Sequence, residues 1–224
     1  AEYTSLRGTW THDTTNGYIQ CSHAGSYGVG YLINSVDFDT VLIQFEVFIQ
    51  SPENDERDWG IVIASDGILN SENYFLPNNG LMVGNRYNIG VYKNGAHIQS
   101  LTRIPATPET WVKVKIFYDK LTNRLETYAD GILIQSVIIT ESMPYGKILL
   151  FAYNIGPNIK IRFRNITIVG TAKDSTNGIA ACIPPIGGGA RYGEQEKVYK
   201  QLVNAAKFGE YKTTASIKTT NADA

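Results

Sequence analysis

A chain of 224 residues, 43% apolar and 18% charged, has the material for one large domain with its own core. At that size about 70% of the unfolded surface is buried on folding, so neither a metal nor a disulfide staple is required. A formal net charge of −1 excludes a long-range attraction for nucleic acid or an anionic membrane surface, and no apolar run approaches the ~20 residues of a membrane-spanning helix. No signal-peptide pattern is visible, and the opening Ala1 reads as a processed or internal start.

Strand patterns dominate from the start to about residue 169. In TVLIQFEVFIQ, Val41, Ile43, Phe45, Val47 and Ile49 fall on one face and Gln44, Glu46 and Gln50 on the other, the period of two of a half-buried strand. DWGIVIAS repeats the pattern more briefly. NRYNIGVYKNGAHIQSL is a hairpin around Asn94-Gly95, a pair suited to the positive φ values of a type I′ turn. In WVKVKIFYD, Val112, Val114, Ile116 and Tyr118 oppose Lys113 and Lys115. RLETYADGILIQS follows in the same way: Leu125, Thr127 and Ala129 alternate with Arg124, Glu126 and Tyr128, then Asp130-Gly131 turns the chain. KILLFAYNI and IKIRFRNITIV close the series. Short strands separated by Gly and Asn turns, with no helical period, predict an all-β, antiparallel sandwich or barrel, of which a two-sheet jelly-roll sandwich over residues 1–170 is the expected form.

The composition changes near residue 170. Residues 171–192, rich in Gly, Pro, Ser and Thr, read as an extended connector. Residues 193–224 read as a helical and extended arm: Val198, Leu202, Ala205 and Phe208 share one helical face, Gly209 ends the helix, and the last residues form an extended tail. A helix this short is marginal alone in water and must pack on something, so the apolar stripe is expected to bind a partner chain. A helix folded back on its own sandwich is the alternative.

Four elements together resemble the concanavalin A-like lectin/glucanase superfamily, with laminin-G-like domains among the nearer branches. GYLINSVDFDTVLIQFEVFI is similar to the early strand pair of that fold. ETWVKVKIFYDKLTNRLETYADG resembles its tryptophan-led strand, short turn and Asp-Gly hairpin, and KILLFAYN and IKIRFRNITI its last two strands. The resemblance covers roughly residues 1–170 and identifies a fold, not an activity. It implies a domain of the kind found in sugar-acting and adhesive proteins.

Glycoside cleavage needs two carboxyl groups facing each other across a sugar. Hydrolytic members of the resembling superfamily often carry them as Glu-x-Asp-x-(x)-Glu on one strand, and no strand here does so: Glu46 and Glu126 are alone on theirs. No catalytic residue is therefore assigned. The acidic cluster PENDERDWG, with Glu53, Asp55, Glu56 and Asp58, reads as a solvated loop. It offers oxygens to calcium without the spacing of an EF-hand, and no cofactor is called for. His12, His23 and His97 have no nucleophile beside them, and Asn165-Ile166-Thr167 is a glycosylation sequon placed inside a strand. Cys21 and Cys182 are either free thiols or one disulfide.

The remaining signal is aromatic. Tyrosines outnumber phenylalanines, 14 to 8, and lie beside Asn and Gly. Such residues near turns can stack on and hydrogen-bond to a sugar. The candidate ligand-binding residues are Trp59, Tyr74, Tyr87, Tyr92 and Tyr153, with polar support from Asp58, Asn88 and Asn154. The expected function is a non-catalytic binding or adhesion module for a glycan or protein, extracellular or surface-exposed. A structural subunit of a virion, filament or surface layer, using the C-terminal arm, is the alternative, and a glycoside hydrolase a second one.

Overall fold

The longest alternating run of the sequence becomes the middle of the molecule. The structure, a computed structural model, describes residues 2–22, 28–34, 37–50, 59–70, 76–86, 88–155, 158–172, 180–186 and 218–219. Among them every regular element is a strand: β1 (Glu2–Arg7), β2 (Thr9–Asp13), β3 (Tyr18–Ser22), β4 (Gly28–Asn34), β5 (Phe38–Gln50), β6 (Trp59–Ser65), β7 (Gly80–Asn85), β8 (Gly90–Lys93), β9 (Ala96–Ser100), β10 (Val112–Asp119), β11 (Arg124–Ala129), β12 (Ile132–Ile138), β13 (Lys147–Ile155), β14 (Lys160–Ala172), β15 (Ala180–Ile186) and β16 (Lys218–Thr219).

These strands form a two-sheet jelly-roll sandwich. The first sheet runs β16-β1-β4-β13-β6-β7-β8-β9, and the second β12-β11-β10-β5-β14-β3-β2 with β15 added to β14. Neighbours are antiparallel except the two-residue β1–β16 pair. The facing sides are those the alternation predicts. Val41, Ile43, Phe45, Val47 and Ile49 of β5 enter one core with Val112, Val114, Ile116 and Tyr118 of β10. Trp59, Ile61 and Ile63 meet them from the first sheet. The indole of Trp59 stands edge-on to Phe45, centroids 6.0 Å apart at 83°, an arrangement that adds to the area it buries.

Both hairpins predicted from Asn-Gly and Asp-Gly are present. Asn94 and Gly95 have φ of 52° and 77°, Asp130 and Gly131 46° and 85°, so both central residues of each turn are left-handed, as type I′ requires.

On β14 the apolar rhythm slips by one residue. Ile161 and Phe163 face the core, and so do Ile166 and Ile168. Pairing with β5 shifts between Arg164 and Thr167, a bulge, and Asn165 there has φ 52°. The extra residue restores the inward face after an odd step. Asparagine tolerates this left-handed conformation better than any β-branched residue. The sequon asparagine is thus a bulge residue within the central strand pair.

The two sheets differ in their outer faces. On the first, Tyr31, Val62, Met82, Tyr92, Leu149 and Phe151 form a second apolar cluster, each 0–1% exposed. The connection from β6 to β7 contributes Leu69 and Leu76 to it. Asp66 holds that connection by accepting bonds from Asn78 (2.9 Å) and Asn79 (2.7 Å). Asn79 in turn accepts the Asn94 amide of the neighbouring turn at 2.9 Å. β6 and β7 are consequently buried on both sides.

The Cys21 thiol is buried, and burial pushes it well above the usual thiol range. Cys21 pairs opposite Ile161 of β14, whereas Cys182 pairs opposite Val169. Eight residues of strand separate those positions, about 26 Å at ~3.3 Å per residue. A disulfide needs Cα atoms within about 7 Å, so the two cysteines do not bridge.

Within the stretch read as a connector, the backbone of Ala180–Ile186 is hydrogen-bonded strand. Lys218 and Thr219, in the stretch read as a tail, pair with Glu2 and Tyr3 of the same chain. The proposed helix, with Val198, Leu202, Ala205 and Phe208, lies outside the described residues.

Two substitutions test this account. Asn165→Gly should leave stability within a few tenths of a kcal/mol, whereas Asn165→Val should cost about 1–2 kcal/mol by chemical denaturation. The Thr127 hydroxyl is buried with no hydrogen-bond partner among the described residues, so Thr127→Val should hold or raise the melting temperature.

Candidate functional site

A ligand needs a surface with unspent polar groups and an apolar floor, and the two outer faces differ in this respect. Over its central strands the first sheet's outer face is closed by its own aliphatic and aromatic cover. Of the residues expected there, Trp59 and Tyr92 are both 0% exposed. Trp59 faces the core between the sheets, and Tyr92 sits in the outer cluster with its hydroxyl donating to the Asn88 carbonyl at 2.5 Å. Neither has a free ring face, which corrects the expectation that they stack on a sugar. Period two put Trp59 inside, and the loop that covers the sheet enclosed Tyr92.

Tyr153 and Asn88 do come to one end of this sheet, around Arg86. The guanidinium lies 4.2 Å from the Tyr153 ring centroid and is itself 2% exposed. The Asn88 side-chain oxygen is buried without a hydrogen-bond partner among the described residues. Asp58, Tyr74, Tyr87 and the Asn154 side chain lie outside the described residues, as does the acidic loop of Glu53, Asp55 and Glu56. Among the described residues no group of three or more His, Cys, Asp or Glu side chains could hold a metal ion. His97 packs on Tyr92, ring centroids 5.2 Å apart.

The second sheet's outer face is open, because its strands alternate buried with half-exposed residues. Toward β14 it is a ladder of stacked cations and rings. Arg162 reaches Gln20 (2.9 Å) and Gln50 (2.7 Å) and lies over Tyr18 at 4.8 Å. Arg164 pairs with Glu46 at 2.5 Å and covers Trp111, 3.9 Å from its ring centroid. Trp111 packs on Phe48 at 5.2 Å.

Toward β12 the same face hollows into an open groove of about 650 Å³. Leu42, Phe117 and Ile138 supply its apolar parts; Lys115, Asp119, Thr122, Arg124, Glu126 and Tyr128 supply its polar ones. Register explains the grouping: Lys115 pairs opposite Tyr128, Phe117 opposite Glu126 and Asp119 opposite Arg124. The Lys115 ammonium stands 3.9 Å from the Tyr128 ring centroid. Tyr128 donates to Glu126 at 2.8 Å, and Arg124 pairs with the other Glu126 oxygen at 2.7 Å. Burial, and next the bond to Glu126, hold the Tyr128 phenol above its ordinary pKa, so it remains a donor. Asp119 accepts from Thr40 (3.2 Å), the Leu121 amide (3.0 Å) and Thr122 (2.8 Å).

Aromatics in turns do not mark this groove in the sequence. The signal was present in Lys113, Lys115, Phe117 and Asp119 on one strand and Arg124, Glu126 and Tyr128 on the next, the wet faces of a hairpin.

No protein-family model matches the chain, and no curated protein matches it in sequence. Solved structures do match in fold. The carbohydrate-binding module CBM66 from Bacillus subtilis superposes with a TM-score of 0.51 at 16% identity, over 74% of this chain and 94% of that one. The carbohydrate recognition domain of Emp47p gives 0.52 at 16% identity, over 72% and 87%. A legume lectin-like domain from Entamoeba histolytica gives 0.50 at 15% identity, over 75% and 89%. The fold is the concanavalin A-like sandwich of these domains, as the strand motifs led one to expect.

The stacked ladder has an optical consequence. Trp10 and Trp59 are 6% and 0% exposed, while Trp111 is half-buried under Arg164. Arg164→Ala should shift tryptophan emission to the red and raise its quenching by acrylamide. The stability loss should stay near or below about 1 kcal/mol, the scale of an exposed cation–π and ion pair.

Proposed function

We propose that the chain is a non-catalytic carbohydrate-binding module whose sugar lies in the groove on the outer face of the second sheet. One observation carries the reading: an open concavity in which the Tyr128 and Phe117 rings adjoin fixed donors and acceptors on β10 and β11. A pyranose has an apolar C–H face and a rim of hydroxyls, and such a surface meets both. The volume falls within the range of small-ligand sites, roughly 300–1,000 Å³. The fold shared with carbohydrate-binding domains supports the reading without assigning the sugar.

Binding is favoured over cleavage by the state of the carboxylates. Asp119 and Glu126 share the groove although they lie on different strands, a proximity that strand-by-strand inspection misses. Yet both oxygens of each are committed to neighbours. A general acid needs a proton to give and a nucleophile needs an approach to the sugar. These two carboxylates are arranged instead as oriented acceptors.

A glycan titration followed by NMR checks this. Amide shifts on addition of a bound oligosaccharide should concentrate on β10 and β11. Lys115→Ala and Phe117→Ala should each weaken binding at least tenfold with the fold retained. Shifts confined to the first sheet, or affinity unchanged in both variants, would place the ligand elsewhere.

A further inference from the structure

The groove lies on a basic face of a chain that is acidic overall. On β5, β10, β11 and β14 the outer side of the second sheet sets Lys113, Lys115, Arg124, Lys160, Arg162 and Arg164 against Glu46, Asp119 and Glu126: six cations less three carboxylates, a local balance of +3, where the whole chain carries −1. Most of these charges are paired or tied. Glu46 is taken by Arg164, Glu126 by Arg124, and Asp119 by hydroxyls and an amide. Lys115 differs. Among the described residues it has no carboxylate partner, and its ammonium is parked over the Tyr128 ring at 3.9 Å.

The positions of the two cations in the groove are set by the strands. Lys115 and Asp119 are four residues apart on β10, and Arg124 is the strand neighbour of Asp119. Four residues span about 13 Å, and one step to the next strand adds ~4.8 Å sideways, so the backbones of Lys115 and Arg124 are about 14 Å apart. That is the reach of a short oligosaccharide. Between them the floor is apolar, from Leu42 and Phe117, and Glu126 and Thr122 offer hydrogen bonds. Arg124 uses one guanidinium nitrogen on Glu126 and is half-exposed, so its other donors face outward.

We infer that the ligand of this groove is an acidic oligosaccharide, bearing carboxylate or sulfate groups, with Lys115 receiving an anionic group at one end and Arg124 at the other. This rests on the groove being the glycan site, and it adds the class of glycan. An ammonium over a ring is already partly desolvated, so a ligand anion that adds to it displaces little water. Glu126 has its charge matched by Arg124, and Asp119 is held by two hydroxyls and an amide, so both carboxylates are oriented to meet hydroxyls.

The test uses the full chain and a chemically matched pair of probes: hexameric oligogalacturonides and their fully methyl-esterified forms, alike in sugar and linkage and differing only in charge. A sulfated hexasaccharide and its desulfated counterpart form a second pair. In calorimetric titration, the acidic member of at least one pair should bind at least tenfold more tightly than its neutral counterpart. That advantage should shrink as salt rises from 50 to 200 mM. Lys115→Gln and Arg124→Gln should each shrink it, the acidic member losing more affinity than its neutral counterpart. Equal or tighter binding of the neutral members, or an acidic preference that survives both Lys115→Gln and Arg124→Gln, overturns the inference and leaves the glycan reading standing. If no member of either pair binds, both fail.

Discussion

The pairing of β5 with β14 is the constraint on which the rest of the structure depends. These are the two longest strands, 13 residues each, and they lie side by side at the centre of the second sheet. β10 adds to one side of the pair, and β3 and β15 to the other. Register along so long a ladder must satisfy the core at every step, because a slip of one residue would turn an entire apolar face to water. The bulge at Asn165 reconciles two runs of opposite parity. Ile161 and Phe163 on one side of it, and Ile166 and Ile168 on the other, can then face the same core.

From that ladder follows the division of labour between the sheets. The first is buried on both faces at β6 and β7, with Gly60 and Gly84 paired where these strands must approach other groups closely. A Cβ on Gly60 would lie 2.2 Å from the Val83 carbonyl oxygen and 2.6 Å from the Phe151 ring. Such packing leaves no room for a ligand. The second sheet is dry on one face only, so its wet face is where charged and aromatic side chains can be arranged for recognition. The groove is thus a consequence of topology before it is one of chemistry: three outer residues of β10 meet three of β11 in strict cross-strand order.

Much of this was legible in the residues. Alternation in β5, β10 and β11 gave the inward face residue by residue, and Asn94-Gly95 and Asp130-Gly131 gave two turns with their φ signs. The break in IKIRFRNITIV could be read as a bulge by anyone counting parity, although the sequon drew attention instead. The site was harder. Trp59 and Tyr92 look like ligand residues because they sit near turns; period two turns Trp59 into the core, while the cover on Tyr92 depends on a loop that returns from elsewhere, as Leu69 and Leu76 do. Likewise Asp119 and Glu126 occupy different strands, and only register makes them neighbours. Local pattern shows which way a side chain points; what lies opposite is a property of the fold.

The central pair also sets a clock for the chain as it is made. Gln50 and Arg162, hydrogen-bonded in the finished molecule, are 112 residues apart. At ~5–20 residues per second, roughly 6–22 seconds separate their synthesis. The β10–β11–β12 hairpins, closed by tight turns, can form in microseconds once they emerge. β5 cannot complete its sheet until β14 leaves the ribosome, and through that interval one of its two edges stays unpaired while β10 holds the other. A nascent chain of this design therefore carries a half-built sheet, with an open strand edge, for seconds before the partner that closes it exists.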